Sequence, residues 1–183
     1  SYARHLRALG FASFGEVVAR ANTSTTPARA FLDLLSAIPG FAEDPLAKKA
    51  NLLAIILAGR PERFLQLDDP QAITPIIDYH LMRSCLRTGC VHIVDADLRR
   101  RLAARAWVDA AEEDEIRRAC FDAVNLLVAG SGLSQAAVDG FFFTNARAHC
   151  IETGAPSCDD CPLEPTCGQA VDLFQPVIRT TAY

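Results

Sequence analysis

An all-α fold is predicted by three features of the chain: proline-punctuated helix starts, apolar residues at helical spacing, and a near absence of strand-like alternation. Thr26-Pro27, Asp44-Pro45 and Asp69-Pro70 each place a capping side chain before a proline, which lacks only an N–H that a first helical turn leaves unpaired anyway. After the first, Phe31, Leu34, Leu35 and Ile38 recur at helical spacing up to Gly40. After the second, Leu52, Leu53, Ile55, Ile56 and Leu57 run to Gly59 and predict a central, buried helix. Asp78 and Gly89 bracket a short helix with an aspartate at its amino end. Ile116, Cys120, Val124, Leu127 and Val128 share one face of a helix within about 112–129, Gly130-Ser131-Gly132 is expected as a loop, and a last helix is expected from about Ser134 to Cys150. Only Val91 to Val94 alternates like a strand.

The 183 residues suffice for one ordinary domain or two small lobes, and half of them are apolar, so a packed core replaces any disordered or low-complexity reading. The apolar stretch from Leu52 to Gly59 is far shorter than the roughly 20 residues of a membrane-spanning helix, and no membrane partner is expected. The chain starts at Ser1 rather than Met and has no charged-then-apolar leader, which reads as a trimmed, cytoplasmic chain rather than a secreted precursor. A net charge of -4 argues against a protein held to nucleic acid by a uniform basic field, although local patches remain compatible with it.

Cysteine usage carries the strongest chemical signal. Of seven cysteines, four form the pattern Cys150-x7-Cys158-x2-Cys161-x5-Cys167, broken by Gly154, Pro156 and Pro162. Four soft ligands on so short a loop suit a [4Fe-4S] cluster, with zinc as the alternative; structural zinc more often joins two C-x2-C pairs across a longer spacer. Cys85, Cys90 and Cys120 lie in apolar helical contexts and read as small core residues.

This loop resembles the iron–sulfur loop that ends the endonuclease III and adenine-glycosylase branch of the helix-hairpin-helix DNA glycosylases, C-x6-C-x2-C-x5-C, with one residue inserted in the first gap. Upstream, Ile76-Ile77-Asp78-Tyr79-His80-Leu81-Met82-Arg83, continuing to Leu86-Arg87-Thr88-Gly89, is similar to that family's stretch around its catalytic aspartate. Arg147, three residues before Cys150, fits the family's Gly-Arg-x-x-Cys region, with Ala146 in place of the glycine. Lys48-Lys49-Ala50-Asn51 resembles the Lys-Thr-Ala-Asn context of the lysine in bifunctional members. The segment Ile38-Pro39-Gly40 keeps only the opening of the family's hairpin loop. The interval from Lys48 to Asp78 is longer than in endonuclease III and resembles the archaeal 8-oxoguanine glycosylase branch.

The resemblance implies a helix-hairpin-helix glycosylase-like fold, divided into a helical lobe over 1–75 with a degenerate hairpin and a second lobe over 76–183 that carries the cluster loop, 150–167. It further implies a monomeric DNA N-glycosylase of base excision repair. Asp78 would stabilise the oxocarbenium-like sugar or activate the nucleophile, and Lys48, if its amine is neutral, would form a Schiff base and add lyase activity. A target base would be flipped from the duplex, with Arg83, Arg87 and Arg147 on the backbone phosphates. Cys150, Cys158, Cys161 and Cys167 would hold the cluster in a structural role. On the residues alone, Asp78 also reads as a simple helix cap, His80 as a packed helix residue, and Arg99, Arg100, Arg101 and Arg105 beside Glu112 to Glu115 as an exposed, ion-paired surface. Two further functions stand beside the leading one: hydrolysis of a modified free or RNA-derived nucleoside, and a non-catalytic nucleic-acid-binding iron–sulfur module.

Overall fold

The computed structural model describes residues 2–180. The described residues are mostly helical and contain no strand, only an isolated parallel bridge between Trp107 and Val177. The helices are α1 (Tyr2–Ala8), α2 (Phe14–Asn22), α3 (Pro27–Ser36), α4 (Lys48–Gly59), α5 (Tyr79–Thr88), α6 (Ala96–Ala103), α7 (Ala110–Ser131) and α8 (Gln135–Ala148), with 3-10 turns at Pro70–Ala72 and Glu164–Thr166. No single helix among them is long and apolar enough to cross a membrane. The chain forms two compact units, one over residues 2–76 and one over Ile77–Thr180.

In the first unit α3 packs between α2 and α4, and Phe31, Leu35 and Ile38 fill its core as their spacing predicts. The proline-marked starts work differently from the local reading. Pro27 does open α3, yet Thr26 makes no side-chain cap; the buried Asp69 carboxylate reaches across to accept the N–H groups of Ala28 (2.8 Å) and Arg29 (2.9 Å). Pro45 opens no helix. Asp44 instead accepts from Lys48 N at 2.7 Å and so caps α4 from four residues upstream, with Ala47 between them in the left-handed region (φ 50°). The helix α4 is not the buried centre: only Ala50, Asn51 and Ala54 are covered, and Ile56 is exposed. Its apolar residues surround the helix, so one core face buries Ala50 and Ala54 while Leu53, Ile55 and Leu57 are covered only in part.

In the second unit the buried helix is α5, which packs on α7 and α8 and is covered at every position from Leu81 to Arg87. Asp78 caps its amino end and Gly89, at φ 83°, turns the chain at its carboxyl end, a conformation that favours glycine. On α7, Ile116, Cys120 and Val124 face the core, whereas Leu127 is exposed; Gly130 and Ser131 belong to the last turn of α7 rather than to a loop. Helix α8 starts at a Ser134 cap, near the expected position. The arginine-rich helix α6 is ion-paired: Arg99 with Asp172, Arg100 with Asp97, and Arg101 with both Asp97 and Glu112.

Candidate functional site

Helix α5 carries the site at both ends. At its amino end Asp78 Oδ1 accepts from His80 N (2.8 Å) and Leu81 N (3.0 Å), which satisfies two of the donors a helix start leaves unpaired. Oδ2 has no hydrogen-bond partner among the described residues, so capping occupies one oxygen of a partly exposed carboxylate and leaves the other unpaired.

At the carboxyl end of α5, the segment after Cys167 closes onto the helix. Gly168 N donates to Thr88 O (2.8 Å) and Ala170 N to Arg87 O (3.0 Å), which pairs carbonyls that the last turn cannot pair itself. A Cβ at Gly168 would lie 3.1 Å from Thr88 O, a tight contact with backbone, so the close approach favours glycine. This closure brings Cys150, Cys158, Cys161 and Cys167 around one cavity, whose wall also includes Ser84, Arg87, Asn145 and His149. The sulfurs are mutual neighbours electrostatically: burial first, then Cys150, Cys167 and Cys161, raise the Cys158 thiol above its ordinary value. Among the described residues no three His, Cys, Asp or Glu side chains converge closely enough for a single metal ion.

The cavity has polar groups turned toward its contents. Arg87 Nη1 donates to Cys150 Sγ at 3.4 Å, and Gln169 N donates to Cys167 Sγ at 3.3 Å. Asn145 Oδ1 lies 3.5 Å from Cys161 Sγ. Two buried polar atoms of the wall, Ser84 Oγ and His149 Nδ1, have no hydrogen-bond partner among the described residues. Arg87 is itself 1% exposed and bonds to carbonyls of Leu173 (2.8 Å) and Ile151 (3.1 Å), with its guanidinium also over the Phe174 ring. It forms no carboxylate ion pair among the described residues, and a buried cation of this kind is costly unless an anion lies beside it. Four thiolates and an anionic cluster fit that need, and the orphaned donors fit it as well.

The remaining expected residues fall elsewhere. Arg83 and Arg87 do not present their guanidinium groups to phosphate, because both are 1% exposed and spend their donors inside the protein. Arg83 bonds to Cys150 O (3.3 Å), Gln175 Oε1 (3.1 Å) and His80 Nδ1 (3.1 Å), beside Glu152. Arg147 is exposed, with its guanidinium 5.4 Å from the Phe143 ring centre. Lys48 is half-buried at the start of α4, in the first unit, whereas Asp78 and the cysteines belong to the second. Asn51, from the same sequence motif as Lys48, ties α4 to the chain leading toward Asp78 by accepting from Thr74 N at 2.9 Å. Cys85 and Cys120 are buried as expected, but Cys90 is exposed in the turn after α5, its sulfur 3.3 Å from Thr88 Oγ1. Asn145 escaped the sequence reading because nothing local marks it as facing Cys161, and Gln169 because it reaches Cys167 through a backbone N–H that its side chain does not signal.

Comparison with protein-family models, with curated proteins and with solved structures finds no match to this chain.

Proposed function

We propose that the protein is a DNA N-glycosylase that excises a damaged or mispaired base in base excision repair, with Asp78 as its catalytic carboxylate and a [4Fe-4S] cluster on Cys150, Cys158, Cys161 and Cys167. The observation that carries this reading is the build of α5: an aspartate with a spare oxygen at one end and a four-cysteine cavity closed against the other. At about 1.5 Å per residue the ten residues of α5 separate these ends by roughly 15 Å, which suits a cluster that holds the loop and takes no part at the sugar. One thiolate per iron calls for sulfurs spread around a cavity, whereas tetrahedral zinc draws them to roughly 3.8 Å from one another.

In the reaction the N-glycosidic bond breaks, the base leaves with the bonding electrons, and positive charge develops on the sugar. Asp78 Oδ2 stabilises that charge and takes the proton of the attacking water, leaving an abasic site. A lyase step adds to this if the Lys48 amine replaces water as the nucleophile. The cluster, when bound, supplies cross-linking of the loop.

The test is release of base from labelled duplexes bearing oxidised or mispaired bases. Wild type releases base, and Asp78→Asn binds and folds but does not; equal turnover in the variant overturns the assignment. Borohydride trapping on abasic duplex, lost in Lys48→Ala, decides the lyase step. The second reading, a nucleoside hydrolase, gains support from the burial of Arg83 and Arg87, which removes two cations from the surface; salt-insensitive turnover of free nucleosides would favour it.

A further inference from the structure

Beside Asp78 the second unit carries a row of rings in contact, one pair tilted and one edge to face, that helix capping does not use. Tyr79 lies against His80 with ring centres 4.1 Å apart and planes inclined by 37°. His80 meets Phe143 of α8 edge to face, at 5.4 Å and 85°, and the Arg147 guanidinium lies over Phe143. Single exposed aromatics are ordinary, but here the outermost rings, Tyr79 (43% exposed) and Phe143 (39% exposed), belong to one contiguous surface on two helices. The row is held from beneath. Arg83, always a donor, fixes His80 Nδ1 as an acceptor and is itself anchored to Cys150 O and Gln175, so the central His80 ring is pre-positioned between Tyr79 and Phe143.

We infer that Tyr79, His80, Phe143 and Arg147 form a stacking platform for an unpaired DNA base, with Arg147 placed to take the adjoining phosphate. This inference rests on the glycosylase reading for its choice of DNA. The chemistry suits a nucleotide on both counts: flat π faces accept any base, and a guanidinium spread over a ring carries the positive charge that a backbone phosphate requires. Tyr79 directly follows Asp78 in sequence, so a base on this platform lies next to the carboxylate that would act on its sugar.

The experiment uses the full chain, cluster-loaded, and a short single-stranded DNA carrying one 2-aminopurine, whose fluorescence falls when it stacks. Wild type binds and quenches; Tyr79→Ala and Phe143→Ala each weaken binding roughly five- to a hundredfold and relieve the quench, while Tyr79→Phe restores both. Far-ultraviolet dichroism and iron content, unchanged in the variants, show that folding is intact. Binding that is equal in wild type and both alanine variants overturns the platform, and so does an absence of binding by wild type at low salt. The two readings fail separately: platform-dependent binding without base release from any duplex sinks the glycosylase, and base release with platform-independent binding sinks the platform alone.

Discussion

Asp78 caps α5 through Oδ1, and the proposed catalysis assigns the other oxygen to the sugar. Because Asn caps helices about as well as Asp, Asp78→Asn is expected to keep its melting temperature while base release falls by roughly two to four orders of magnitude. Asp78→Ala is expected to lose activity and also about 1 kcal/mol of stability, measurable by urea denaturation. His80 gives a pH signature. Burial above all, with Arg83 and Arg147 adding to it against Asp78 and Glu152, lowers its pKa below the ordinary 6.5. The unfolded chain then binds a proton before the folded one does, so the stability contributed by neutral His80 is complete above about pH 6.5 and is lost as pH falls below it. His80→Asn, which keeps an acceptor for Arg83, should therefore narrow its gap in melting temperature to wild type as the buffer is moved from neutral to mildly acidic. A gap that widens would show that His80 is charged in the folded state.

Among the helices, the informative feature is where their ends are paired. Helix α3 is capped by Asp69 and the carboxyl end of α5 by the chain after Cys167, so these two ends link distant segments, whereas α2, α5, α6, α7 and α8 are capped at their amino ends by the residue just before them. Ala47 is held in the left-handed region just before α4, where an alanine costs about 1 kcal/mol relative to glycine. Ala47→Gly is expected to recover much of that, seen as a higher midpoint in thermal melting. Gly168→Ala works in the other direction. Its methyl group would press on the Thr88 carbonyl, a backbone atom that cannot rotate away, and should cost about 1–3 kcal/mol while lowering the iron retained per chain after desalting. Full iron retention in that variant would mean that the loop closes on α5 less tightly than the geometry indicates.

For the whole molecule, the division into two units sets what loss of the proposed cluster should do. All four cysteines lie in the unit over Ile77–Thr180, and the core of Phe31, Leu35 and Ile38 belongs to the other. Removal of iron by chelation is expected to expose residues near 150–175 to proteolysis and hydrogen exchange, while residues 2–76 keep their protection. Uniform loss of protection would make the chain one cooperative unit. The all-α class, the limits of α5, the first turns of the α7 face (Ile116, Cys120, Val124) and the spacing of four thiols on one loop were legible in the sequence, because each depends on residues within a few turns of one another: a cap, a glycine, a repeat of 3.6. The inward turn of Arg83 and Arg87, the exposure of Cys90, the remote caps on α3 and α5, and the alignment of Tyr79 and His80 with Phe143 were decided only by the tertiary structure. Partners such as Arg83 and Cys150 or Asp69 and Ala28 are tens of residues apart, and a buried charge or an unpaired helix end finds its partner only after packing has brought the segments together.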